Sequence, residues 1–178
     1  MKYVLLLRGI NVGGKNKVSM ADLKNMILSL GYENVITYIN SGNILFDSTD
    51  NIDTVNVNIS QILNSYPFKI NKVILTKQEY LEELENLPMW WKDELYRKDV
   101  LFYSDDIDYS IIKERINNMP LNDENVHFGK RAIFWGKFNE KNYLNTSYHK
   151  YLIKEPFYKY ITIRNGRTFM KIIELLDN

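Results

Sequence analysis

Cysteine is absent from the 178-residue chain, so disulfides, thiolate nucleophiles and cysteine-ligated zinc are excluded. Histidine occurs only as His127 and His149, and that pair alone lacks the third ligand of a zinc site. A nucleophile at Ser41 would need one of them as its base, and neither spacing nor chain order brings them to it. No apolar run approaches the ~20 residues that span a bilayer. The apolar start, Tyr3 to Leu7, is too short for a signal-peptide core and stops at Arg8. The expected compartment is the cytoplasm, with no membrane partner. Net charge is also nearly absent, at +1, which gives no global pull towards polyanions.

The charges that are present are unevenly placed. Residues 78–124 carry thirteen acids against five bases, and residues 130–171 carry ten bases against two acids, Glu140 and Glu155. Such asymmetry marks a polyanion-binding face, two mutually attracting faces, or plain solvated surface. Asp105, Asp106 and Asp108 lack the spacing of a calcium loop and read as helix-capping residues. No metal site is expected.

The stretch from Arg8 to Lys17 holds Gly9, Gly13 and Gly14, three bases and no acid. Glycine lets a backbone turn tightly and approach a ligand, and a loop entering a helix N-terminus favours anions. Gly9, Gly14 and Lys15 satisfy part of the phosphate-binding P-loop pattern. Asn16 then stands where a magnesium-holding Ser or Thr belongs, and helix onset near Ser19 is late. The chain is therefore not read as a P-loop NTPase.

Alternating hydrophobic periods give the element order. A strand over 2–7 precedes a helix capped by Ser19, with Met20, Leu23, Ile27 and Leu30 at helical spacing and Gly31 as its stop. Strands over 35–39 and 44–46 flank the turn-forming residues Asn40, Ser41, Gly42 and Asn43. A helix from Asn51 and a strand over 68–76 follow. The order βαββαβ is the split-βαβ, ferredoxin-like plan.

An acidic helix over 78–87 and the pair Trp90 and Trp91 read as a connection, the tryptophans packing the halves. The plan then repeats: a strand over 100–103, a helix bearing Ile111, Ile112 and Ile116, strands over 126–128 and 132–135, a helix over 144–152, a strand over 158–163 leading to residues 164–168, and a last helix carrying Phe169, Ile172, Ile173 and Leu176. The expected fold class is α+β: two ferredoxin-like subdomains, mainly antiparallel sheets with helices packed on one face. Their bounds are 1–77 and 98–178, joined by 78–97.

In that plan the first and third strands are neighbours, so the glycine loop and the second hairpin share one sheet edge. This brings Arg8, Asn11, Gly13, Gly14 and Lys15 towards Asn40, Ser41 and Asn43. The array offers amide donors, a guanidinium suited to phosphate or carboxylate, and neutral polar groups. Alternatively, the glycines form a surface turn and the polar residues bond each other.

The expected function is binding of a small phosphorylated or carboxylated ligand there, with the ligand, any cofactor and any reaction left open. Any catalysis is expected to be electrostatic rather than covalent. Two alternatives stand beside it. One is nucleic-acid binding through Tyr148, Lys150, Tyr151, Lys154, Tyr158, Lys159 and Tyr160, which interleave bases with aromatics. The other is a non-catalytic protein-interaction module.

Three segments, Arg8 to Met20, Thr37 to Asn43 and Thr162 to Thr168, resemble those of the bacterial family called domain of unknown function 1697. The resemblance spans almost the whole chain, although 139–158 departs from the family pattern. It implies a two-part protein of ferredoxin-like units and supplies no activity, cofactor or catalytic residue. It also implies that Arg164, Asn165 and Thr168 group with the two N-terminal segments. Arg167 is placed with them, and Arg164 and Arg167 are expected to close the site from the second half.

Overall fold

Lys2–Arg8 forms β1, and every side chain from Tyr3 to Leu7 is buried, as a central strand of apolar residues requires. In a computed structural model, which describes residues 1–177, β1 pairs antiparallel with β3 (Asn43–Asp47) on one side and β4 (Asn71–Thr76) on the other. β2 (Glu33–Tyr38) lies outside β3, giving the order β2-β3-β1-β4. Helices α1 (Met20–Leu28) and α2 (Ile52–Leu63) lay Leu23, Ile27, Val55 and Ile59 against Tyr3, Leu5, Ile44 and Phe46.

Ser19 caps α1 by accepting the Asp22 amide at 3.2 Å, and Asn51 caps α2 through Thr54 at 2.9 Å. The next helix, α3 (Lys77–Glu85), opens on a reciprocal capping box. The Thr76 hydroxyl accepts the Glu79 amide, and the Glu79 carboxylate accepts the Thr76 amide.

The second four-stranded sheet comprises β5 (Arg97–Tyr103), β6 (Glu124–Phe128), β7 (Ala132–Lys137) and β8 (Ile161–Asn165), in the order β6-β7-β5-β8, again antiparallel. α4 (Tyr109–Asn117), capped by Asp108, buries Ile112 and Ile116 against Leu101, Ile133 and Trp135. Two compact units result. One is Met1–Tyr80 with the C-terminal stretch from Ile172; the other is Leu81–Lys171. The fold is α+β, with two mainly antiparallel subdomains. Among the described residues no helix is long and apolar enough to cross a membrane.

Four elements differ from expectation for local reasons. β4 starts at Asn71 because its partner β1 ends where Arg8 faces Asn71. β2 stops at Tyr38 because Ile39 takes a φ of 50° and enters the turn. No helix runs over 144–152. The buried Glu124 carboxylate accepts the amides of Ser147 and Tyr148 at 2.6 and 3.0 Å, fixing the start of a four-residue helix, α5 (Ser147–Lys150), between short 3₁₀ turns. Finally, the strand expected over 158–163 starts only at Ile161, because Pro156–Tyr160 forms a 3₁₀ turn, and it runs on to Asn165. β8 passes directly into α6 (Gly166–Asp177), with Asn165 Oδ1 accepting the Thr168 amide at 2.8 Å.

Within the second unit Trp91 is buried and meets Phe134 and Phe169 edge-on, at centroid distances of 5.4 and 6.0 Å.

Candidate functional site

The residues after β1 form a miniature hairpin. Val12 and Lys15 make an antiparallel bridge, closed by the Lys15 amide donating to Val12 O at 3.0 Å. Its two tip residues, Gly13 and Gly14, have φ of 57° and 75°, the twist that two-residue hairpins require and side chains resist. Both glycine amides lack an acceptor among the described residues, and the tip is exposed.

Asn11 ties this hairpin to the fold. Its Nδ2 donates to Val18 O at 3.0 Å and Asn40 O at 2.9 Å, and its Oδ1 accepts the Val18 amide at 2.8 Å. One side chain thus joins the glycine loop, the approach to α1 and the β2–β3 turn. Asn11 also sits at φ 54°, a region that asparagine tolerates better than alanine. Asn11→Ala is expected to lower the unfolding free energy by about 1–2 kcal/mol. Urea denaturation measures this directly, and an unchanged midpoint would contradict the tie.

The β2–β3 turn packs closely on the loop. The Gly42 carbonyl accepts the Leu7 amide at 2.8 Å, and a Cβ on Gly42 would lie 2.6 Å from Leu7 Cβ. Its φ of 81° is a second reason for glycine. Asn43 is fully buried, its Nδ2 donating to Tyr38 O at 2.9 Å and Ser41 Oγ at 3.1 Å. Its amide therefore completes the hairpin rather than facing solvent.

Between the glycine hairpin and α1 lies an open groove of about 480 Å³, lined by Asn11, Gly14, Lys17, Val18, Ser19, Met20 and Asn40. No acid lines it. Asp22, in the first turn of α1, is the nearest acid along the helix. Lys15 and Lys17 are exposed and form no ion pair among the described residues. Arg8 is half-buried at the strand end and engaged within the fold, so the free positive charge belongs to the two lysines. Lys15 sits in a turn five residues before α1 and not at its start, so the P-loop geometry is absent. Ser41 and Asn40 are exposed at the turn.

The C-terminal motif lies in the second unit. Arg164 is 5% exposed, its Nη1 donating to Thr162 Oγ1 at 3.0 Å and Ile163 O at 2.8 Å. Thr168 is buried as well, whereas Asn165 and Arg167 are exposed. Of the four, only these last two reach solvent. The interleaved aromatics divide similarly: Tyr148 is buried with its ring edge-on to Trp135 at 5.5 Å, and Tyr151 is exposed. His127 and His149 lie beside the rings of Phe134 and Tyr143. Among the described residues no group of three His, Cys, Asp or Glu could hold a metal ion.

Sequence reasoning singled out Lys15 and missed the groove-lining Lys17, Ser19 and Met20. The signal was available: all three fall in the basic stretch or at the recognised helix cap. Which of them turn inwards depends on the two-residue turn at Gly13 and Gly14, which composition does not reveal.

The family described as "Protein of unknown function (DUF1697)" matches residues 1–134. Among solved structures, the chain is similar to a conserved bacterial protein, SP0830, from Streptococcus pneumoniae. The two share 48% identity and a TM-score of 0.93, over 98% of each chain. No curated protein matches.

Proposed function

We propose, for a chain that belongs to the family of proteins of unknown function DUF1697, that the first unit binds a small phosphorylated or carboxylated anion. The ligand lies in the groove between the glycine hairpin and the start of α1. The observation that carries this reading is the pair of lysines without ion pairs, Lys15 and Lys17, beside a groove with no acidic lining. The positive end of α1, whose Ser19 cap lines the same groove, adds to that potential. The free amide of Gly14 supplies a neutral donor, and Asn40 also lines the groove. Asn11 acts by positioning, since both ends of its amide are used within the fold.

Thermal unfolding in the presence of inorganic phosphate, pyrophosphate, sugar phosphates and citrate tests the proposal. A ligand held only by the native state at about 100 times its Kd adds about 2.7 kcal/mol to stability. Lys15→Glu combined with Lys17→Glu is expected to abolish that gain while leaving the unliganded unfolding temperature nearly unchanged, because both side chains are exposed. A screen with no shift, or a shift that survives the double charge reversal, would remove the proposal.

A further inference from the structure

A second concavity, in the second unit, is separate from that groove and chemically unlike it. It is an open cleft of about 590 Å³ where the start of β5 meets the β8–α6 junction, and three cations line it: Arg97, Lys98 and Arg167. No acid is among its lining residues. Trp91, Tyr96 and Met170 form its apolar part.

The state of each cation makes the cleft a site and not a scatter of surface charge. Lys98 Nζ donates to two carbonyls, Trp91 O at 2.5 Å and Asp93 O at 2.6 Å, and lies 5.8 Å from the Trp91 ring centroid. Neutral carbonyls hold the ammonium in place without cancelling its charge. Arg167 is exposed and has no ion pair or hydrogen bond among the described residues. Arg97 is paired with Asp99 at 2.8 Å, but the same carboxylate also takes buried Lys137. One anion shared between two cations leaves net positive charge beside the cleft.

The apolar part is ordered too. Tyr96 is 46% exposed, with its ring held edge-on to Tyr143 at 5.9 Å. Met170 is 37% exposed on α6. The floor is close-packed: a Cβ on Gly166 would come within 3.0 Å of Trp91 Cζ2. Three cations lining one cleft suit a doubly charged group better than a carboxylate, and arginine suits phosphate through paired N–H donors. The Tyr96 ring and the Met170 thioether beside it suit an aromatic ring.

We infer that this cleft binds an organic phosphate carrying an aromatic ring, with the phosphate between Arg97, Lys98 and Arg167 and the ring against Tyr96 and Met170. The inference is independent of the first-unit groove, and its test separates the two.

Phenyl phosphate and adenosine monophosphate are titrated into the intact protein, with methyl phosphate as the ringless control, and backbone amides are followed by NMR. At least one aromatic phosphate is expected to give saturable shifts at the Arg97, Lys98, Gly166 and Arg167 amides. Arg167→Glu should weaken it by at least about tenfold. The fold is expected to survive, since an acid in the first turn of a helix is favourable. Tyr96→Ala should weaken the aromatic phosphate about threefold or more and leave methyl phosphate unaffected. Lys17→Glu, in the other unit, should change neither. Absence of saturable shifts at these amides at millimolar ligand would overturn the inference. So would full affinity in Arg167→Glu, or equal affinity for methyl and aromatic phosphates.

Discussion

Asp99→Asn is expected to lower the unfolding free energy by about 3–5 kcal/mol, and Lys137→Met by clearly less. Both side chains are fully buried and paired with each other, so the asymmetry does not follow from burial. It follows from what each removal leaves behind. Without Asp99, the buried Lys137 ammonium loses the carboxylate it donates to and must either hold its charge against burial or give up the proton. Its Nζ lies 3.3 Å from the Tyr148 ring centroid and 5.6 Å from that of Tyr143, and cation–π attraction only partly replaces a carboxylate. Without Lys137, Asp99 still accepts two bonds from Arg97 Nε, at 2.8 and 3.1 Å, and a methionine fits between the tyrosine rings.

The double variant should therefore recover much of the loss seen in Asp99→Asn. Equilibrium urea unfolding of the four proteins gives the coupling. Equal costs for the two single variants, or no recovery in the double, would show that the pair is not the unit described.

The same pair carries a pH signature. Burial pushes the Lys137 ammonium down from 10.5 to about 8, against the opposing pull of Asp99. Between those values the unfolded chain binds a proton that the folded chain has given up, so stability rises with pH across that window. Lys137→Met lacks the effect. The stability of the wild type relative to the variant should therefore increase from neutral pH to the upper end of the window.

The sequence made the first unit largely legible. Ser19 and Asn51 cap the helices expected of them, because a cap is written in adjacent residues. The neighbouring placement of β1 and β3 followed from element order alone. What escaped was decided by contacts distant in sequence. Glu124 reaches 23 residues ahead to the Ser147 amide, and no local pattern over 144–152 announces that a carboxylate will start a helix there. Asn43 resembled its polar neighbours Asn40 and Ser41, yet strand register takes it into the interior. Arg97 and Lys98 were masked by the acidic stretch around them. Charge counted along the chain hides two bases whose strand carries them to one cleft with Arg167, nearly 70 residues later.

Glu83→Ala is expected to cost about 2–4 kcal/mol, because the Glu83 carboxylate holds the β6–β7 turn by two of its amides. Its Oε1 accepts from the Lys130 and Arg131 amides at 2.8 and 2.6 Å. Its Oε2 is buried without a partner, directly over Gly129. Burial raises the Glu83 carboxyl above its ordinary 4.5, and the Arg131 and Lys130 amides only partly offset this.

The sign follows from linkage. A carboxyl whose folded value is raised contributes stability that is complete below the unfolded value and is lost as pH climbs through the folded one. Glu83→Gln keeps the Oε1 acceptor and cannot ionise. In place of Oε2 it sets a donor in the neighbourhood that Gly129 shares with the Ala132 carbonyl. The variant should therefore gain on the wild type as pH rises from about 4 to about 7, while Glu83→Ala stays destabilised throughout. Urea midpoints of the three proteins across that range decide the matter. A gap between wild type and Glu83→Gln that is constant, or that widens in favour of the wild type with rising pH, would mean the carboxyl is held ionised. The turn would then be clamped by charge, and burial would not be the dominant influence on Glu83.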